Sequence, residues 1–108
     1  MSNPEESLNR RRVRKGARWL DEHMPNWYDL VVIGSLDMSR RCSCVLGQIT
    51  GDYNYVVDAE VPTNLLPPLV DRTAVTHGFD ADSGDYDLLE DLWVREIATR
   101  REGAEDDR

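Results

Sequence analysis

The amino-acid sequence predicts a mainly α protein: a compact bundle of three to four helices, with an α+β alternative if the middle forms a short strand or β-hairpin. Three observations carry this. The first 24 residues hold an apolar stripe, Val13, Ala17, Leu20 and Met24, at i, i+4, i+7 and i+11. A second stripe, Tyr86, Leu89, Trp93 and Ile97, marks the C-terminal part. The chain has 108 residues, which is one domain with one modest core. The domain is expected over residues 1–102, with 103–108 as a flexible charged tail.

Taken in order, the N-terminal helix opens on Asn3 as cap, Pro4 at the first helical position and Glu6 three residues after the cap. It runs to about His23, with Trp19 beside its stripe, and Pro25-Asn26 ends it. Trp27 to Ile33 is aromatic and β-branched and reads as a short strand, followed by a Gly34-Ser35 turn.

From Leu36 two readings stay open. In the favoured one, Asp37 or Ser39 caps a helix through Cys44, Val45, Leu46 and Ile49 that stops at Gly51. In the other, residues 42–49 and 53–57 pair as a hairpin, which the alternation of Tyr53, Tyr55 and Val57 favours. Val61 to Leu66 reads as a connector. Pro67-Pro68 opens a short helix with Val70, Ala74 and His77 on one side, and Gly78 then Phe79 make a Schellman-like stop. Asp80 to Gly84 is a polar loop. The last helix runs from near Asp85 to about Arg101, with acids early and Arg100 and Arg101 late, as the helix dipole favours.

Net charge is −8, unevenly spread: residues 1–41 carry eight basic against six acidic residues, residues 42–108 five against fifteen. Six positive charges fall within residues 10–18: Arg10, Arg11, Arg12, Arg14, Lys15 and Arg18. Such a helix face suits a phosphate backbone, and nucleic acid is one candidate partner. A solvated face, or pairing with the chain's own acidic half, is the plainer reading. The acidic half carries the favoured reading, a non-enzymatic protein that docks on a protein partner through Asp85, Asp87, Glu90 and Asp91, with nucleic-acid binding by the basic helix as the alternative. Trp27, Tyr28 and Tyr53 would anchor such a contact if exposed.

Cys42-x-Cys44 with His23 and His77 offers zinc donors without finger-type spacing, so buried, reduced cysteines are the expectation and no metal is assigned. Asp80-x-Asp82-x-Gly84-Asp85 resembles a calcium loop with its fifth and sixth positions exchanged. No catalytic motif stands out, and neither an enzyme nor a cofactor is expected. No apolar run reaches the roughly 20 residues of a membrane span, and no signal peptide is read, which points to the cytoplasm.

Taken together, Trp19-Leu20-Asp21-Glu22 with Pro25 and Trp27, Leu36-Asp37-Met38-Ser39, Cys44-Val45-Leu46-Gly47-Gln48 with Gly51-Asp52-Tyr53, and His77-Gly78-Phe79-Asp80 form an ordered set. Over about residues 17 to 98 it resembles small proteins encoded by phages of actinobacteria, including mycobacteriophages. Cys42 is the less typical cysteine of that pattern. The resemblance implies a small accessory protein that binds a host or phage macromolecule in the bacterial cytoplasm, and it carries over no catalytic residue.

Overall fold

The computed structural model describes residues 4–40, 42–53, 56–57, 66, 69–81 and 84–106, with side chains at these positions except 4–6, 71 and 104–106. The architecture is mainly α. Helices α1 (Pro4–His23), α2 (Val45–Thr50), α3 (Asp71–Thr76) and α4 (Tyr86–Asp106) enclose one core, with 3₁₀ turns at Trp27–Leu30 and Ile33–Ser35. No strand occurs among the described residues; the one β feature is a single parallel bridge between Val57 and Leu69.

The long helices form where the periodicity places them. Val13, Ala17 and Leu20 of α1 are buried, as are Leu89, Leu92, Trp93 and Ile97 of α4. The two run in the same direction along each other, since Arg14 meets Glu96 and Asp21 meets Arg100. Pro4 opens α1; the expected capping box of Asn3 and Glu6 lies outside the described side chains. α4 is capped by Asp85, whose Oδ1 accepts the Leu88 N–H at 3.1 Å, and its backbone stays helical through Gly103 to Asp106.

The short elements depart from expectation in instructive ways. Trp27 to Ile33 is not a strand. Asn26 turns the chain at φ 68°, a 3₁₀ turn follows, and only Val31 and Val32 are extended. A strand needs a neighbour for its backbone groups, and here side chains supply the partners. Gln48 takes the Val32 N–H on its Oε1 at 2.7 Å and donates to the Val32 carbonyl at 3.2 Å. Arg101 donates to the carbonyls of Tyr28 at 2.9 Å and Val31 at 2.5 Å.

The middle segment is helical, which excludes the hairpin, because residues 45–50 are α2 and cannot pair with 53–57. Its cap is neither Asp37 nor Ser39. Cys44 Sγ accepts the Gly47 N–H at 3.3 Å, and Asp37 instead binds the Ser39 N–H and hydroxyl in a tight local turn. Gly51, at φ 107°, ends the helix.

α3 stops in a Schellman motif: Gly78 has φ 73°, its N–H reaches the Val75 carbonyl, and the Phe79 N–H reaches that of Ala74. Val70 does not share the buried side with Ala74. It precedes α3 as its N-cap and is 60% exposed. The Val61–Leu66 connector, apart from Leu66, and Pro67-Pro68 lie outside the described residues.

A strap of charge closes the α1–α4 seam. Arg100 binds Asp21 through two parallel bonds of 3.0 and 2.9 Å and Glu96 at 2.6 Å, while its guanidinium lies 5.7 Å from the centre of the Trp27 ring. Asp21 also accepts the Trp27 indole N–H at 2.9 Å. Burial pushes the Asp21 carboxyl pKa up, but the bonds from Arg100 and Trp27 and the Arg100 charge outweigh it, so the carboxyl sits below its ordinary value. A carboxyl depressed on folding stabilises the protein above its unfolded pKa of ~3.9, and that stability is lost as pH falls through the folded value. Asp21 remains partly open to solvent, so screening trims the effect. Asp21→Asn is expected to cost about 1 kcal/mol at neutral pH, with the difference from wild type vanishing in acid. Urea unfolding at a series of pH values checks this; a difference that persists at low pH would show that the charge is not responsible.

Candidate anion-binding cleft

α1 brings its basic side chains to two different places. Arg11, Arg14, Lys15 and Arg18 line an open cleft of about 580 Å³ together with Trp19, Glu22 and His77. Residues 11, 15, 18 and 22 follow i, i+4, i+7 and i+11, so one helical face supplies most of this wall. Arg10 lies in a second groove, with Arg14 and with Arg95 and Glu96 of α4. Arg12 is half-buried and lines neither. The run of six is therefore split by the helix, and four of its members face one concave surface.

Electrostatics favours an anion there. Against the four cations, Glu22 is the one carboxylate among the described lining residues, so their formal charge is positive. Arg11, Lys15 and Arg18 are exposed, and the Arg14 side chain is 62% exposed even though it approaches Glu96 at 3.8 Å. That last pair is loose and solvated, so it leaves Arg14 able to bind elsewhere.

The far wall is aromatic. His77 is the C-cap of α3 and its Nδ1 donates to the Thr73 carbonyl at 2.8 Å, which orients the ring. His23 makes the corresponding bond to the Trp19 carbonyl at 2.8 Å. Both rings thus bond back to a carbonyl one turn earlier near the end of a helix, and that of Thr73 also takes the His77 backbone N–H at 3.0 Å. Two glycines bring α1 and α3 close enough for His77 to face the basic stripe. A Cβ on Gly16 would lie 1.9 Å from the His77 carbonyl oxygen, and one on Gly78 would lie 2.7 Å from the Val13 Cα.

The other candidates fall elsewhere. Asp85, Asp87 and Asp91 are exposed and Glu90 half-buried on the first turns of α4, away from the cleft lining. Asp80 is occupied structurally, accepting from the Ala81 N–H at 2.9 Å and the Tyr86 hydroxyl at 2.8 Å; Asp82 of the calcium-like loop lies outside the described residues. Trp27 is fully buried and cannot anchor a partner, while Tyr28 and Tyr53 are half-buried. The cysteines diverge. Cys44 is buried, and burial pushes its thiol pKa up to about 11, but Cys42 is exposed, contrary to the expectation for it. No group of three or more metal-binding side chains converges among the described residues. No described helix is long and apolar enough to cross a membrane.

Trp19, His77 and Arg95 were not assigned to any anion site in the sequence. Nothing local links residues 19 and 77, because the α1–α3 crossing that joins them depends on two glycines far apart in the chain. Compared with protein families, with characterised proteins and with solved structures, the chain matches none.

Proposed function

We propose that the protein acts by binding, not by catalysis, and that the basic face of α1 takes the phosphate backbone of a nucleic acid. The supporting observation is the convergence of Arg11, Arg14, Lys15 and Arg18 on one concave surface, with a single carboxylate among its described lining residues. Phosphate contacts of this kind need no base-reading motif, and each releases condensed counterions. The chain's overall charge of −8 opposes such binding. At physiological ionic strength, however, charges beyond about 8 Å are largely screened, so the local field of the cleft governs the encounter.

The expected result is salt-dependent binding of a labelled oligonucleotide. Arg11→Ala, Lys15→Ala and Arg18→Ala together should weaken binding at least about tenfold and lower the salt slope by about 2 to 3. Fluorescence anisotropy across a salt series measures both. Unchanged affinity in the triple variant would sink the assignment.

The exposure of Asp85, Asp87 and Asp91 supports a second reading, in which a basic protein partner docks on the start of α4. Asp85→Asn keeps the cap on α4 and removes the charge, so it tests that surface without unfolding the helix. Under either reading the resemblance to actinobacteriophage proteins supplies the setting, a phage accessory factor in the host cytoplasm.

A further inference from the structure

We propose that the cleft prefers single-stranded nucleic acid, with a base stacked against His77 while the arginines hold the flanking phosphates; this rests on the phosphate-binding reading above. Three rings form a column. Trp93 and Phe79 are stacked at 5.3 Å between centroids with planes 14° apart, and Phe79 and His77 at 6.4 Å with planes 4° apart. The first two rings are fully buried and His77 is half-buried at the cleft. The column thus leads from the core to the anion-binding surface, and among the described residues it continues no further than His77.

Trp19 adds a side wall, standing edge-on to His77 at 70° and to Phe79 at 67°. A flat ring laid on His77 extends the column with Trp19 alongside, and the cations of α1 lie in the same cleft. That combination, a stacking platform beside a positive groove, is what unpaired strands require. A duplex meets the charge requirement but keeps its base faces stacked internally, so it cannot use the platform.

The test compares a labelled oligodeoxythymidine strand with a labelled duplex of equal length by anisotropy, with polyglutamate as a competitor. The strand is expected to bind about tenfold tighter than the duplex. His77→Ala should erase that preference, and His77→Phe, which keeps a flat ring, should retain it. Strand binding should also quench tryptophan fluorescence through Trp19, because Trp27 and Trp93 are sealed in the core. Trp19→Phe removes the quenching. Equal affinity for strand and duplex would overturn the single-strand preference and leave phosphate binding standing. Binding to neither at low salt would overturn both. Polyglutamate competing as well as the unlabelled strand would show a site selective for charge alone and overturn the inference. The wild-type comparison decides the matter even if a variant fails to fold.

Discussion

Trp93→Ala is expected to lower stability by about 4 kcal/mol, the largest effect of any single substitution considered. The side chain is completely buried on the core face of α4. It stacks on Phe79, meets the edge of Trp27 with centroids 5.7 Å apart, and donates its indole N–H to the Gly78 carbonyl at 2.6 Å. Truncation removes the apolar contact, opens a cavity between α1, α3 and α4, and leaves a buried carbonyl without its donor. Trp93→Phe separates these contributions. It keeps most of the ring volume and orphans the carbonyl, for an expected loss of about 1–3 kcal/mol. Domains of this size are stable by about 5–15 kcal/mol, so the alanine variant should be only marginally folded at room temperature. Urea unfolding followed by circular dichroism measures both variants. A loss under about 1 kcal/mol for Trp93→Ala would mean that the three rings do not form the centre of the core.

Gly16→Ala is the second, and its sign is the informative part. In an isolated helix this change stabilises by about 1 kcal/mol, since alanine is the better helix former. Here the new methyl would lie 1.9 Å from the His77 carbonyl oxygen and 3.2 Å from the Trp93 ring. The first obstacle is backbone, so no rotamer change relieves it, and α1 and α3 must separate. Overpacking of this kind costs typically 1–3 kcal/mol and occasionally more, which exceeds the propensity gain. With the obstacle in the backbone the cost falls at the upper end of that range, so a net loss of about 1–2 kcal/mol is expected, lowering Tm by about 5–15 °C. Gly103→Ala is the control. It too lies in a helix, but nothing stands within 4 Å of its added Cβ, so it should be neutral or slightly stabilising. If both alanines raise Tm, the close crossing of α1 and α3 is wrong, and with it the approach of His77 to the basic stripe. In the other outcome, Gly16→Ala should weaken strand binding together with stability, because the same crossing positions His77.

The two long helices were legible because their information is local and repeated. Stripes at 3.6-residue spacing, Pro4 at one start and Asp85 at the other survive any tertiary context that buries one face. The Schellman stop at Gly78-Phe79 was legible for the same reason, since a left-handed residue followed by an apolar one is a short-range signal. The strand at Trp27 to Ile33 was not a strand because its backbone partners are the side chains of Gln48 and Arg101, 16 and 70 residues away from the groups they satisfy. β-propensity reports that a segment fits a half-buried surface and is silent on whether a neighbouring strand exists.

The candidate site divides along the same line. The sequence by itself determined that a positive helix face exists, because six basic residues within nine positions place charge on α1 whatever its surroundings. Only the tertiary structure decided which four of them share a cleft and that Trp19 and His77 complete it. It also decided that Trp27 belongs to the core and that the chain's two cysteines part company. The physical reason is close approach. Gly16 and Gly78 let two backbones touch, and a contact defined by absent side chains leaves no pattern along the chain from which it could be read.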